Sequence, residues 1–153
     1  MKAVAARRDV RPASPADEYQ LEAQAGHLMR RVHQRHAAIF QDGMADLQLT
    51  PTQFAALVKI RDVGQVSQNQ LGRLTAMDPA TIQGVIQRLE ARKLIQRQPD
   101  PKDRRCTLLS LTLEGRALLA DAVIRAKRIT EATLAPLSPA ERQSFLALLR
   151  KLI

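Results

Sequence analysis

The sequence predicts a mainly α-helical chain with one small β-hairpin, the hairpin standing as a wing beside a pair of short helices. Three observations predict it. Hydrophobic residues make up 45 % of the 153 but aromatics only 3 %, so Leu, Ile, Val and Ala must do the packing, which suits helices more than a sandwich. A hydroxyl or carboxylate followed by proline or by a box partner recurs along the chain as a helix start. Between residues 94 and 111 the helical period gives way to two short runs around Pro99-Asp100-Pro101-Lys102-Asp103.

The elements follow in order. Residues 1–13 carry charge and proline without periodicity and read as a mobile basic arm, or as a tail with no role. Ser14-Pro15-Ala16-Asp17, Thr50-Pro51-Thr52-Gln53 and Ser138-Pro139-Ala140-Glu141 share one layout. A hydroxyl at N-cap accepts from free backbone N–H groups, proline at N1 loses nothing, and the residue at N3 reaches back to the cap. Asp78-Pro79 repeats the first half of this layout, and Ser67-x-x-Gln70 the box without proline. The first helix is expected from about Asp17 to Leu47, with Leu21, Ala25, Leu28, Val32, Ile39 and Phe40 as its apolar stripe. A second runs from Pro51 to about Asp62, and Gly64 ends it. A third spans Gln68 to Ala76 with Leu71 and Leu74 inward, and a fourth Pro79 to about Lys93 with Ile82, Val85, Ile86 and Leu89 inward. A strand at Leu94–Arg97, a loop from Pro99 and a returning strand at Cys106–Leu111 make the hairpin. Thr112 caps a fifth helix from Leu113 to about Leu134, and a sixth runs from Pro139 to Leu152. Two short helices followed by a basic-tipped hairpin outline a winged helix-turn-helix, a shape that puts one helix in a DNA groove and a loop beside it.

The length suits one domain over 14–153. In it, residues 49–111 form the winged helix-turn-helix, flanked by the first helix at 14–48 and the last two at 112–153. Net charge is +9, which fits a polyanionic partner, or else a soluble basic surface. The single cysteine, Cys106, excludes an intrachain disulfide. No apolar run approaches the ~20 residues of a membrane span, and the N-terminus has no apolar core of a secretory signal, so a cytoplasmic protein without a membrane partner is expected.

The candidate chemistry is DNA reading. With the fourth helix's apolar face inward, its other face carries Ala80, Thr81, Gln83, Gly84, Gln87 and Arg88. Gln can bond adenine bidentately and Arg guanine, while Thr or Ala can meet a thymine methyl. An ordinary solvated face is the alternative. Gly84 costs about 1 kcal/mol against Ala in mid-helix, which close approach of a DNA backbone or tight packing against a neighbouring helix would explain. Lys102, Arg104 and Arg105 project from the proline-stiffened tip, where a guanidinium can enter the minor groove. Asp103 is placed to hold the Arg105 guanidinium, a plain charged turn being the alternative. Ser67, Gln68 and Asn69, at a helix N-terminus, can reach phosphates. Residues 67–111 hold eight basic and four acidic side chains, about half the chain's excess positive charge.

On these residues the sequence resembles the MarR family of bacterial transcription regulators. The match is carried by Leu49-Thr50-Pro51-Thr52-Gln53-Phe54, Ser67-Gln68-x-x-Leu71-Gly72 and Asp78-Pro79-Ala80-Thr81. It continues through Arg88-Leu89-Glu90-Ala91-Arg92-Lys93-Leu94-Ile95-x-Arg97, Asp103-Arg104-Arg105 and Leu111-Thr112-x-x-Gly115. It covers about residues 20–150 in order; the ordered set is specific, while no single piece is. The resemblance implies an obligate homodimer joined through the start of the first helix and the last two helices, each subunit offering its winged domain to half of a pseudo-palindromic operator. Within the family, the segments LTPTQFAALVKI and LGRLTAMDPATIQGVIQRLEARKLI and the His-bearing first helix look like repressors of nicotinate breakdown. Independently, Leu134, Leu137, Phe145, Leu148, Leu149 and Leu152 exceed what a lone helical hairpin buries, which also points to a dimer, or else to an intrachain core.

The resemblance also implies a small aromatic acid effector. The first helix carries all three histidines, His27, His33 and His36, interleaved with Arg30, Arg31 and Arg35. His33 and His36 share a face, and His27 lies nearly opposite His36. The expectation is that His33, His36 or Arg35 bonds the carboxylate while Phe54 or Met44 lines the pocket; solvated or interface side chains are the alternative. Two histidines do not fill a tetrahedral site, so no metal is expected, and no cofactor. Cys106, next to Arg104 and Arg105, is conceivable as a peroxide sensor with a lowered pKa, a small strand residue being the plainer reading. Other classes are a nucleoid-type protein indifferent to sequence and an enzyme. No phosphate loop, metal triad or nucleophile-base spacing supports the enzyme.

Overall fold

The computed structural model describes residues 18–103 and 105–153. The predicted basic arm at 1–13, the helix start at Ser14-Pro15 and the wing residue Arg104 lie outside the described residues. The described chain divides into two compact units, one ending at Gln34 and the other running from Arg35 to Ile153.

A 3₁₀ turn at Leu21–Ala23 precedes helix α1 (Ala25–Gly43), whose residues up to Gln34 belong to the N-terminal unit and the rest to the larger one. The single long helix expected from Asp17 to Leu47 is thus three pieces, because Gln24 is extended and a second 3₁₀ turn occupies Ala45–Leu47. Gln48 ends that turn in the left-handed region, at φ 49°. Leu21, Leu28 and Val32 of the expected stripe are exposed, as is Met29 beside them.

In the larger unit follow α2 (Pro51–Val63), β1 (Val66–Ser67), α3 (Gln68–Leu74), α4 (Pro79–Ala91), β2 (Ile95–Pro99), β3 (Thr107–Leu111), α5 (Leu113–Leu134) and α6 (Pro139–Arg150). The helix starts form as their chemistry dictates. Complete capping boxes close at Thr50 with Gln53 and at Ser138 with Glu141. Accepting the Ser138 backbone N–H holds the Glu141 carboxyl below its ordinary pKa. Asp78 accepts from the Thr81 backbone N–H at 2.9 Å, and Thr112 from that of Gly115 at 3.0 Å. Ser67 forms only half a box, accepting from Gln70 N–H at 3.3 Å while its own backbone belongs to β1.

The helix stops are less regular. α3 and α4 end two residues before the expected Ala76 and Lys93, and these residues instead turn left-handed at φ 53° and 56°. Met77 N–H then donates to the Gly72 carbonyl and Leu94 N–H to that of Leu89, the six-to-one bond of a Schellman stop. Glycine usually marks such a stop, and here neither position holds one.

The sheet has three antiparallel strands in the order β1-β3-β2. The hairpin was expected; β1, two residues paired through Val66 with Leu109, was not. β2 extends to Pro99, which pairs with Thr107, so the proline read as loop is a strand end. It is tolerated because β2 is an edge strand, where the missing N–H is not needed.

The core joins Leu57 and Ile60 of α2, Leu71 of α3, Ile82, Val85, Ile86 and Leu89 of α4, Leu109 and Leu111 of β3, and Leu119 and Ala122 of α5. Leu74 is 40 % exposed, not buried as expected; α3 buries Leu71 and Gly72 instead. Among the described residues no helix is long and apolar enough to cross a membrane.

Candidate nucleic-acid interface

Helix α4 presents the face that the sequence assigns to DNA. Its four apolar residues are buried, while Ala80, Thr81, Gln83, Gln87 and Arg88 are exposed and Gly84 half-buried. Asp78 anchors the N-terminus twice, taking the Thr81 backbone N–H at 2.9 Å and the Thr81 hydroxyl at 2.5 Å. These bonds, the side-chain one first, hold the Asp78 carboxyl below its ordinary range. With its hydroxyl proton committed to the cap, Thr81 offers outward mainly its methyl and oxygen lone pairs.

Gly84 separates its two explanations. The three atoms nearest to a Cβ there would all belong to the guanidinium of Arg88, the closest at 3.7 Å, so any other helix stands at 3.9 Å or beyond. Helix packing therefore does not require this glycine.

At the wing tip Asp100 accepts the Lys102 backbone N–H at 2.8 Å and Asp103 that of Arg105 at 3.0 Å. Two further backbone bonds, Asp100 N–H to Cys106 and Cys106 N–H to Asp103, close the loop. Asp103 was expected to hold the Arg105 guanidinium; it holds the Arg105 backbone and the Cys106 thiol instead, leaving Lys102 and Arg105 exposed. A carboxylate two residues back lies closer to a turning backbone N–H than to the end of a long side chain.

The same carboxylate decides Cys106. Its Sγ donates to Asp103 at 3.5 Å, and that bond together with the negative charge of Asp103 pushes the thiol pKa up, Asp100 adding to it. The expectation that neighbouring arginines lower it is corrected, and with it the basis for a peroxide-sensing thiolate.

Ser67, Gln68 and Asn69 stand at the start of α3 with Asn69 exposed. Not all the positive charge nearby is available. Arg97 forms a paired bridge to Glu90 at 2.6 and 3.1 Å, and Arg92 donates to the carbonyls of Leu47 and Gln48, both at 2.8 Å. Sequence reasoning had counted both with the DNA-facing excess. The acceptors of Arg92 lie more than forty residues away, so no local signal would have set it aside.

The side chains expected around an effector do not ring one cavity. His36 Nδ1 lies 2.9 Å from the Thr133 hydroxyl, which donates onward to the Ile129 carbonyl at 2.8 Å. Arg35 is spent on the last carbonyls of α5, donating to Thr133 and, at 3.0 Å, to Ala132. Phe54 packs edge-on against Phe40 with ring centres 6.0 Å apart, and Phe40 lies 6.2 Å from the His36 ring. Met44, 1 % exposed, and Phe40 line a cavity of about 520 Å³ with Ala37, Gln41, Leu49 and Pro51. Phe40 is thus the residue missed, the aromatic that touches both His36 and Phe54. His33 is exposed on α1. Among the described residues no cluster of three His, Cys, Asp or Glu is arranged to hold a metal ion.

Comparison with known proteins agrees with this architecture. A profile of the MarR family matches residues 49–107, the stretch from the start of α2 to the first residue of β3. The HTH-type transcriptional repressor NicR of Pseudomonas putida is 46 % identical over 92 % of this chain and 90 % of its own. A probable transcriptional regulator from Pseudomonas aeruginosa superposes with a TM-score of 0.85 at 49 % identity, over 88 % of this chain and 100 % of the other. BpsR of Bordetella bronchiseptica, whose structure is described as a mechanism for regulation of its DNA binding by 6-hydroxynicotinic acid, superposes with a TM-score of 0.83 at 48 % identity, over 88 % of this chain and 96 % of that one. With the winged helix-turn-helix in place and this similarity running along nearly the whole chain, the protein belongs to the MarR family of transcription regulators.

Proposed function

We propose that the protein is a homodimeric, sequence-specific DNA-binding repressor released from its operator by a small aromatic carboxylate of the nicotinate type. The observation that carries this reading is α4: a buried apolar face fixes the helix, and its outward face holds short and hydrogen-bonding side chains beside a wing bearing Lys102 and Arg105. Similarity to NicR and BpsR supports the effector class. The DNA-facing set is Ser67, Gln68 and Asn69 for phosphates, Ala80, Thr81, Gln83, Gly84, Gln87 and Arg88 for base edges, and Lys102, Asp103, Arg104 and Arg105 for the wing.

For the effector, the cavity beside Met44 and Phe40, backed by Phe54, takes the aromatic ring, and His36 or Arg35 serves the carboxylate. Arg35 would have to give up the end of α5 to do so, which links binding to a movement of the helices that set the spacing of the winged domains. A dimer matched to both half-sites then matches one, and affinity falls.

The test is a gel shift on DNA upstream of the protein's own gene, with nonspecific competitor and nicotinate-type and benzoate-type acids added in turn. A sharp complex dissolved by one acid is the expected result. A smear abolished by competitor replaces this reading with a nonspecific nucleoid-type protein.

A further inference from the structure

Resting on that reading of α4, we propose that Gly84 is the positioning residue for Arg88, and that the pair reads one base pair of each operator half-site. Both terminal nitrogens of Arg88 lie 3.7 Å from where a Cβ of residue 84 would stand, and Cζ lies 3.9 Å away, so the guanidinium is folded back beside the position that Gly84 leaves without a side chain. Long side chains on a helix lean toward its N-terminus, and this one reaches back a full turn. Four residues of helix rise are about 6 Å, so the fork stands at the level of Gly84 rather than Arg88, nearer the N-terminal residues that contact base edges.

The charge is uncommitted. Among the described residues Arg88 has no carboxylate partner, whereas Arg92 and Arg97 at the same end of α4 are both engaged. A guanidinium folded back toward the N-terminal end of α4, and without a carboxylate partner among the described residues, keeps its donors for a bidentate bond to the O6 and N7 of guanine.

An alanine at 84 leaves the guanidinium at ordinary contact distance. A valine puts branched carbons into its seat, while its helix propensity still exceeds that of glycine, so the protein stays folded. The experiment is selection from a randomised DNA library, followed by affinity measurement on the best site and its single-base variants. The proteins are wild type, Gly84→Ala, Gly84→Val, Arg88→Ala and the double variant Gly84→Val with Arg88→Ala, each with its unfolding midpoint.

Wild type is expected to prefer guanine at one position of each half-site, and Arg88→Ala to lose roughly tenfold of that preference. Gly84→Val should lose the same preference at the same position with an unfolding midpoint no lower than wild type. Gly84→Ala should keep it, and the double variant should be no worse than Arg88→Ala. The proposal is overturned if Gly84→Val retains the preference, if the double variant shows the sum of the two losses, or if Gly84→Ala loses as much as Gly84→Val. A wild type without any preferred sequence overturns the DNA-reading assignment itself, and that failure is visible before any variant is compared.

Discussion

Gly115 has the tightest requirement of the glycines. A Cβ there would stand 2.0 Å from the Leu94 carbonyl oxygen, a backbone atom that cannot swing aside. The closeness has a purpose: Thr112 caps α5 through Gly115 while its hydroxyl donates to the Lys93 carbonyl at 2.7 Å and its N–H to Leu94 at 3.1 Å. The start of α5 is thereby stitched to the end of α4. Gly115→Ala should therefore destabilise the fold by about 1–3 kcal/mol, the usual range for overpacking, read as a lower midpoint in urea unfolding. At this scale the sequence was informative where a residue acts on its immediate neighbours. The caps at Thr50, Ser67, Asp78, Thr112 and Ser138 all form, because an N-cap oxygen meets an N–H two or three residues away whatever the rest of the chain does. Asp103 shows where this reasoning overreached. A charge pair with the Arg105 side chain was expected, and the nearer backbone donor took the carboxylate.

Among the described residues three guanidinium clips reach carbonyls of a distant helical end. Arg92 ties the end of α4 to Leu47 and Gln48 at the junction before α2, and Arg35 ties α1 to the end of α5. Arg125 bridges Asp121 at 3.2 Å and Asp46 at 3.3 Å and reaches the Gly43 carbonyl. In each case the acceptor is, or includes, a carbonyl at a helical end, where unsatisfied oxygens and the helix dipole favour a cation. The Arg92 clip is the one that touches α4. Arg92→Ala removes two charge-assisted bonds and should cost about 1–3 kcal/mol. Hydrogen exchange should rise first around Gln48 and the start of α2; uniform exchange across the fold would show that the clip carries nothing local. None of these clips was legible in the sequence, because Arg92 lies more than forty residues from its acceptors and Arg35 nearly a hundred from its own.

The molecule as a whole leaves apolar surface uncovered. On α6 and the C-terminal residues beyond it Leu148 is 58 % and Leu152 72 % exposed, and Leu146 and Leu149 are also open, with no described residue covering them. The proposed homodimer would cover this surface, setting two recognition helices roughly 34 Å apart on one face of DNA. Sedimentation should then give twice the 17.0 kDa chain mass. Leu149→Glu combined with Leu152→Glu should bring it to the single chain and sharply weaken operator binding, because half a palindrome offers only half the contacts. A wild-type chain sedimenting as a monomer at micromolar concentration would remove the dimer from the proposal.

The sequence by itself determined the helix starts, the apolar face of α4, the hairpin and its basic tip, since these depend on periodicity and on neighbours a few residues apart. The tertiary structure alone decided where α3 and α4 stop, because their left-handed ends at Ala76 and Lys93 are held by the packing around Met77 and Leu94 rather than by a glycine. It alone placed β1 against β3, a pairing of two residues too short to show as a pattern. And it alone separated the arginines engaged within the fold, Arg35, Arg92 and Arg97, from Arg88, which has no carboxylate partner among the described residues. The physical reason is range: a cap is a contact along the chain, while a guanidinium's partner is whichever carbonyl or carboxylate the fold brings within 3 Å.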